Sequence, residues 1–335
     1  MKVSLFMTLS GLCWWSFNEF SVYASEGFDP LRYEYYARFG LPNYLMDASS
    51  YRIVGILEFI YSYLPQYGGF IIFIAVTAFL LRLVDDTIYV SSAIFSPVSF
   101  YYLSQTGKDG IAILALIATA MMAINYYKLQ VNLVCIAIIG LAIFIRPPIL
   151  IYIPLLIMQT RFGTRFALAI SPVLIIIFNY SIDIYDATSG LDNIADDTGA
   201  GGFAQYLRIY SFGYTLTPVL VKVLLFLISP IMQPAVGIVK FLNGGSSFVL
   251  LEAASFSLLL YQIWRNRILI RFAWASLPYC IVLGATSPFY HFRYLAIAYP
   301  FIFVYALYAV RKPQPETPDN SADIRSPLSG QTTLA

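Results

Sequence analysis

The stretch YYLSQTGKDGIAILALIATAMM, residues 101 to 122, places a Lys-Asp pair between two apolar runs. Gly107 and Gly110 flank the pair, and glycines at such a break favour a turn. Charged side chains are costly inside a hydrocarbon layer. Lys108 and Asp109 are therefore expected at the end of a membrane span. The number of apolar runs that are separated by such polar breaks then predicts the number of membrane spans.

The composition extends the pattern to the whole chain. Of 335 residues, 59% are hydrophobic and only 11% are charged, whereas about a quarter of a soluble domain is charged. Apolar runs of about 15 to 20 residues recur from end to end, and a helix of that length crosses a hydrocarbon core of roughly 30 Å. The sequence therefore predicts an all-α polytopic integral membrane protein. The net charge of +2 is too small to indicate nucleic acid as a partner.

The apolar runs predict about 10 to 12 transmembrane helices in one domain, residues 1–312. The N-terminal run is either a signal peptide cleaved after Ala24 or the first membrane helix, and both readings export the loop near 19–66. A second exported loop is expected near 183–212, and the Pro- and Ser-rich tail 313–335 is expected to be disordered in the cytoplasm. The clearer spans are expected at 67–84, 88–105, 110–127, 130–145, 147–160, 166–182, 246–264, 269–286 and 294–310.

Basic residues orient these spans, because they accumulate in cytoplasmic loops. Three basic clusters lie at span ends: RFGTR (161–165), RNRILIR (265–271) and residues 311–312. All three are cytoplasmic if both termini are cytoplasmic, as expected for a multi-pass protein of the bacterial inner membrane. The segment 214–243 then either crosses twice, with a break at Pro230, or stays at the outer face as re-entrant or interfacial helices.

The same orientation collects most of the other charges at the extracytoplasmic face. Ionisable residues at membrane depth cost roughly 2.5 to 3.5 kcal/mol each on insertion scales, so they are functional candidates. The candidates are Asp29, Lys108, Asp109, Arg146, Arg208, His291 and Arg293, together with the neighbouring Tyr294.

Four of these candidates suit the binding of a phosphate or another part of a substrate. Arg146 interrupts an apolar run, and the two prolines that follow it fix the turn. A rigid guanidinium suits bidentate recognition of phosphate, although a snorkelling arginine that trims the helix length is the plainer reading. Lys108 and Asp109 either bind phosphate or sugar, with the carboxylate orienting the cation, or form a solvated turn. Arg208 in the second exported loop is a further substrate-binding candidate.

Other candidates suit proton transfer. Asp29, in FDPLRYEYY, is either a general base among tyrosines that stack on sugar rings or one charge of an interfacial aromatic belt. His291 with Arg293 and Tyr294 either transfers a proton or contacts phosphate, or it is an ordinary loop histidine. The aspartates between 183 and 197 favour a solvated acidic loop over a divalent-cation site. No metal or other cofactor is therefore predicted.

Several of these features together resemble the bacterial polysaccharide polymerases of the EpsG and Wzy-like type. The resemblance runs over roughly residues 20 to 310 and is carried by the spacings Asp29 to Tyr33 and Glu58 to Tyr61, the break SQTGKDGIAI, the RPP hairpin and the final Arg293-Tyr294. It implies an enzyme that joins polyprenyl-diphosphate-linked repeat units outside the inner membrane, in O-antigen, capsule or exopolysaccharide synthesis. The expected partners are membrane lipid, the lipid-linked glycan, a chain-length regulator and a flippase.

Two other readings stay open. The layout also resembles the wider group of GT-C glycosyltransferases, which use polyprenyl-phosphate sugars and in which Asp29 would match the general base of the first outer loop. In both readings Arg146, Lys108 and Arg293 stabilise the departing phosphate. The catalytic candidates are Asp29, Asp109 and His291, because a carboxylate or a histidine deprotonates the acceptor hydroxyl. A transporter or flippase would hold its charges near the bilayer midplane, and Lys222 is the residue that fits such a site.

Overall fold

The computed structural model describes residues 33, 36–37, 48–63, 96–103, 108–124, 129–189, 216–243, 247–286 and 293–308. Within these ranges 94% of the residues are helical and none lies in a strand. The all-α class predicted from the apolar runs is therefore confirmed for this part of the chain. Two of its helical segments, Val219–Leu242 and Leu269–Thr286, are long and apolar enough to cross a membrane.

The helix bounds follow the apolar runs of the sequence closely. A 3₁₀ turn over Pro147–Ile151 interrupts the predicted span 147–160, because two consecutive prolines cannot donate backbone hydrogen bonds. The helices are α1 (Ala48–Tyr63), α2 (Pro97–Leu103), α3 (Lys108–Ile124), α4 (Leu129–Ile145), α5 (Tyr152–Phe162), α6 (Thr164–Ser189), α7 (Leu216–Leu242), α8 (Ser247–Arg265), α9 (Leu269–Thr286), α10 (Arg293–Ala296) and α11 (Tyr299–Tyr308).

Two segments differ from the prediction. The loop expected from residue 183 begins later, because α6 continues to Ser189 and no glycine or proline interrupts the chain between Pro172 and Gly190. Within the segment 214–243, residues 216–242 form the single helix α7, which contains Pro230 instead of breaking there as the reading with two crossings expects. The predicted span 67–84, most of the first loop and the tail 313–335 lie outside the described residues.

Seven of the helices named above pack in a closed ring, in the order α3, α5, α6, α9, α7, α8, α2 and back to α3. Helix α4 packs against α3, and α1 packs against α4. Every side chain of α3 from Ile111 to Met121 is buried, as expected for a helix that is apolar on all faces. Helix α3 therefore carries its charges only at its first turn.

Helix α11 lies inside the ring. Its side chains from Tyr299 to Val304 are buried, and it packs against α9 and α2. The Tyr299 hydroxyl donates a hydrogen bond to the carbonyl of Phe226 on α7 at 3.1 Å and also contacts the Ser229 hydroxyl. The ring of Tyr299 packs against Phe256 of α8 and Phe272 of α9. One side chain thus links α11 to three helices of the ring.

A second buried side chain links α5 to α9. The amide of Gln159 on α5 donates to the carbonyl of Ala275 on α9 at 2.8 Å. The hydroxyl of Tyr279, also on α9, donates to the other end of the same side chain at 3.0 Å. Interhelical hydrogen bonds of this kind hold helices together in apolar surroundings.

The bundle has two chemically different ends. Helix α3 begins with Lys108 and Asp109, whereas its last turn accepts a hydrogen bond from Arg161, whose Nε lies 3.0 Å from the carbonyl oxygen of Ala123. At a rise of ~1.5 Å per residue, the two ends of α3 lie about 20 Å apart. We refer to them as the Lys108 end and the Arg161 end.

Helix α7 packs closely against both α8 and α9. Gly237 of α7 approaches Ala253, near the beginning of α8, and Val223 of α7 approaches Gly284, near the end of α9. Both of these close contacts are remote from the turn at 266–268, which joins α8 to α9.

The close contact at Gly237 predicts a specific sensitivity to substitution. A Cβ at this position would lie 2.6 Å from the Cβ of Ala253 and 3.1 Å from the carbonyl oxygen of Val249. We expect Gly237→Ala to destabilise the purified protein by about 1–3 kcal/mol, because neither neighbour can move without shifting a helix. The measurement is the thermal unfolding midpoint in detergent.

Gly140→Ala is the matched control for this substitution. Gly140 lies on α4, and no atom lies within 4 Å of the Cβ that alanine would add. The control should leave the midpoint unchanged or raise it slightly, because alanine favours a helix over glycine by up to about 1 kcal/mol. Equal midpoints for the two variants would contradict the packing of α7 on α8.

Candidate functional site

Three of the predicted site residues meet at the Lys108 end. Lys108 and Asp109 form the first turn of α3, and Arg146 follows the last residue of α4. The guanidinium of Arg146 forms an ion pair with the carboxylate of Asp109, and the two side chains are only 12% and 20% exposed. A largely buried ion pair thus joins the beginning of α3 to the end of α4, although the two residues lie far apart in the sequence.

The backbone around Arg146 places this residue just past the end of α4. The Arg146 N–H donates to the carbonyl of Ala142 at 2.7 Å, which is the last helical bond of α4. The backbone of Arg146 then leaves the helical region, with φ −137° and ψ 79°, because a following proline disfavours the helical conformation of the residue before it. The ion pair with Asp109 holds the guanidinium at the Lys108 end, and the phosphate-binding role of Arg146 stays a prediction.

Lys108 contacts an aromatic ring of the first predicted outer loop. Its Nζ lies 5.4 Å from the centre of the Tyr33 ring, within the range of a cation–π interaction. Tyr33 is buried. The loop that carries Asp29 therefore sends at least one residue to the Lys108 end.

Arg52 is a third cation at this end and was not among the predicted site residues. Its Nη1 donates to the carbonyl of Phe144 at 2.6 Å, and its guanidinium lies 4.9 Å from the centre of the Phe144 ring. The last carbonyls of a helix have no partner within the helix, and a cation there is favourable. The only feature of the sequence that could have indicated a role for Arg52 is its position just before the amphipathic segment ILEFIYSYL.

These contacts give the Lys108 end a cationic cluster, which we define as Arg52, Lys108, Arg146 and the single carboxylate Asp109. Asp109 lies in the first turn of α3, where a negative charge is favoured by the helix dipole. Because Asp109 is bound to Arg146, the geometry favours an orienting role for this carboxylate over proton transfer. Its catalytic role stays a prediction.

A second carboxylate lies deeper in the same half of the bundle. Glu252 of α8 is buried and accepts a hydrogen bond from the Tyr102 hydroxyl at 3.0 Å. Tyr102 belongs to the end of α2, from which the chain leads to Lys108. Sequence reasoning passed over Glu252, although it is the only charged residue of the predicted span 246–264, which is the usual sign of a functional residue in a membrane helix.

The structure gives no side-chain contacts for most of the other predicted site residues. Asp29, Arg208 and His291 lie outside the described residues. Arg293 and Tyr294 form the first residues of α10, but their side chains are not described. Lys222, considered for a transport site, lies on α7 and is fully buried. The roles predicted for these residues stay predictions.

The fold and the site together define an all-helical protein with a cationic cluster at one end of a closed ring of helices. Comparison with protein-family models, with curated proteins and with solved structures finds no match to this chain. A guanidinium and an ammonium group at the same end of the bundle can bind a phosphate or a diphosphate.

The ion pair predicts a measurable energetic coupling. Asp109→Asn and Arg146→Gln should each lower the free energy of unfolding, and the double variant should lose less than the sum of the two. We expect a coupling energy of about 1–3 kcal/mol, as is usual for residues in direct contact. The measurement is a double-mutant cycle on the unfolding of the purified protein.

Arg267→Gln provides the control for this cycle, because Arg267 is exposed and lies in the turn between α8 and α9. Its effect should add to that of Asp109→Asn within about 0.5 kcal/mol, as distant sites do. Additive effects of Asp109→Asn and Arg146→Gln would contradict the ion pair.

Proposed function

We propose that this chain is a polytopic membrane glycan polymerase of the bacterial inner membrane. It would join polyprenyl-diphosphate-linked oligosaccharide repeat units at the extracytoplasmic face during the synthesis of a surface polysaccharide. The observation that carries the proposal is the cationic cluster, in which Asp109 pairs with Arg146, and Lys108, the first residue of the same helix, lies over the Tyr33 ring. Groups fixed in this way stabilise the charge of a departing diphosphate without reorganising.

The surface of the bundle supports a location within the membrane. Large apolar side chains are exposed along most of the longer helices, for example Ile176 on α6, Leu224 on α7, Leu258 on α8 and Ile270 on α9. Soluble monomers rarely expose contiguous apolar patches larger than a few hundred Å². Lipid chains are the surroundings that such a surface suits.

The distribution of basic residues supports the orientation. Arg161 and Arg165 lie beside the short α5–α6 connection at the Arg161 end. Arg271, in the first turn of α9, lies at the same end, because it lines one recess together with Arg165. By the positive-inside rule this end faces the cytoplasm. The Lys108 end then faces outwards, where lipid-linked repeat units are joined.

The continuity of α7 bears on the expected number of spans. The helix contains Pro230 without breaking there, so it does not form the two crossings that would give 12 spans. In the proposed orientation the chain crosses an odd number of times between the second exported loop and the basic residues at 265–267, and α8 supplies that crossing, which leaves α7 at the outer face as a re-entrant or interfacial helix. Such an arrangement gives about 10 spans and leaves both termini in the cytoplasm.

In the proposed reaction, an acceptor hydroxyl oxygen attacks the anomeric carbon of the donor glycan. The glycosidic bond forms as the bond from this carbon to the diphosphate oxygen breaks, and the diphosphate leaves with the bonding electrons. Arg146 and Lys108 stabilise the charge of the leaving group, and Asp109 orients Arg146. Asp29 or His291 takes the proton of the acceptor hydroxyl.

A GT-C transferase is the second candidate, because one arginine–carboxylate pair beside one lysine suits a monophosphate as well as a diphosphate. It would transfer one sugar from a polyprenyl-phosphate donor to a lipid, glycan or protein. The two candidates share the site and differ in the product, so the product decides between them.

The orientation is tested apart from the chemistry with two cysteines that flank α8. Asn243 precedes α8 and Arg267 follows it, and both side chains are exposed. In a chain whose native Cys13, Cys135 and Cys280 are replaced by alanine, we expect Asn243→Cys to react with an impermeant thiol reagent in intact cells. Arg267→Cys should react only after the cells are permeabilised. The reverse pattern would place the cationic cluster in the cytoplasm and overturn the mechanism.

The function is tested by complementing a gene deletion and resolving the surface glycans by length. The deletion should reduce the ladder of polymers to a single repeat unit, and wild-type protein should restore it. Arg146→Ala should yield about 10²-fold less polymer at equal protein level, comparable to the loss of one preorganised donor to a developing oxyanion. Arg267→Gln, which removes the same charge at the other end, should restore the ladder.

Each other outcome of this experiment has a definite meaning. A ladder that remains intact but lacks one sugar would favour the GT-C transferase. An unchanged glycan profile in the deletion strain would contradict both enzymes and favour a transporter. Full restoration by Arg146→Ala would remove this residue from the phosphate site.

A further inference from the structure

The Arg161 end contains an open recess that the proposed reaction does not use. Its volume is about 340 Å³, and it lies where the α5–α6 connection, the start of α9 and the end of α11 meet. The lining residues that matter here are Gly163, Thr164, Arg165, Arg271, Trp274 and Tyr305. The length of α3 separates this recess from the cationic cluster.

Two arginines converge on the recess from separate helices. Arg165 lies in the first turn of α6 and Arg271 in the first turn of α9, and both side chains are exposed. Neither has a hydrogen bond or an ion pair within the part of the chain that the structure describes. Guanidinium groups that approach from two sides match the oxygens of a phosphate.

The recess also offers hydrogen-bond donors. It includes the N-terminus of the long helix α6, where backbone N–H groups lack helical partners and anions are favoured. Thr164 at this position is 4% exposed, and its Oγ1 has no hydrogen-bond partner among the described residues. Its N–H donates to the Tyr305 hydroxyl at 3.3 Å.

The unpartnered hydroxyl of Thr164 is an independent sign of a ligand. A buried hydroxyl without a partner is unfavourable, and because Thr164 lines the recess, a ligand bound there would supply the missing partner once the side chain turns towards it. Glycine is favoured at position 163, which precedes Thr164. Its φ is +92°, and the Tyr305 hydroxyl lies 3.4 Å from the position that a Cβ would occupy. A glycine here lets the backbone pass close to Tyr305 at the recess.

The rim of the recess is aromatic. Phe162, Phe166 and Trp274 are exposed, and the first two rings pack together with their centres 5.4 Å apart. Aromatic side chains are common at the boundary between membrane and water. A free phosphate gains nothing from such a rim, whereas the glycerol and acyl groups of a lipid do.

We propose that this recess binds the phosphate headgroup of an anionic glycerophospholipid from the cytoplasmic leaflet. Arg165, Arg271 and the Thr164 hydroxyl contact the phosphate, and the aromatic rim contacts the glycerol and the first part of the acyl chains. Basic pockets between membrane helices at the cytoplasmic side recognise lipids of this class. The inference rests on the membrane orientation proposed above and is independent of the glycan chemistry.

The test uses the purified full chain in a neutral detergent and a fluorescent phosphatidylglycerol. We expect saturable binding to the wild-type protein and at least about tenfold weaker binding to Arg165→Gln/Arg271→Gln. The control pair Arg265→Gln/Arg267→Gln removes the same charge at exposed positions that do not line the recess, and it should bind nearly as the wild type does. Equal weakening in both pairs would overturn the site.

Competing ligands identify the source of the phosphate. Unlabelled phosphatidylglycerol should displace the probe, phosphatidylcholine should displace it at least about tenfold less well, and glycerol phosphate or inorganic phosphate should not displace it at millimolar concentration. Displacement by inorganic phosphate at the same concentration as phosphatidylglycerol would overturn the assignment to a lipid.

Thr164→Val separates binding from folding. The substitution preserves shape and removes the unpartnered hydroxyl, so the thermal midpoint without lipid should stay unchanged or rise. The binding of phosphatidylglycerol should weaken severalfold, because one donor to the phosphate is lost. Unchanged binding in this variant would show that Thr164 takes no part, and a fall in both quantities would assign the hydroxyl to folding alone.

Discussion

A polar side chain inside a bundle this apolar has to find its partner within the protein, because no water is at hand. The buried hydroxyl groups of Thr119, Ser171, Ser276 and Thr286 bond to carbonyls of their own helices, whereas larger polar side chains pair across helix interfaces. Tyr299 bonds from the central helix to α7, Gln159 bonds from α5 to α9, and Glu252 accepts from α2. Apolar packing alone would let helices slide along one another, whereas each of these bonds forms only at one axial offset. The polar groups therefore set the register of the ring, and the apolar surface supplies most of its contacts.

The same principle explains why Lys108 and Asp109 stand side by side. Helix α3 is buried along its length, so only its ends can carry charge. Each end of α3 contacts an arginine from the segment 146–162, which includes α5. Arg146 pairs with Asp109 at the first turn of α3, and Arg161 donates to the carbonyl of Ala123 at its last turn. Helix α3 is thus fixed at both ends by one neighbouring segment. The arrangement that stabilises the central packing also places a largely buried guanidinium at the Lys108 end.

Much of the fold could be predicted from the sequence, because apolar runs of helical length between polar breaks mark helix bounds directly. The bounds of α3, α4, α8 and α9 follow in this way. The end of α6 could not be predicted, since Asp183 and Asp186 suggest a loop although nothing interrupts the helix before Gly190. The pairing of Asp109 with Arg146 was also out of reach, because it depends on how α4 packs against α3. The roles of the candidate residues stay predictions, and the residues that they contact, such as Tyr33 beside Lys108, follow only from the packing.

The position of α11 inside the ring has a consequence for biogenesis. This helix leaves the ribosome after every other described helix, yet it fills the space that those helices enclose. Until Tyr299 and its neighbours arrive, the inward faces of the other helices lack part of their packing. The bundle therefore becomes fully packed only when the chain is nearly complete. Because cells triage incompletely folded proteins with chaperones and proteases, the synthesis of the last described helix is the step that distinguishes a finished molecule from an unfinished one.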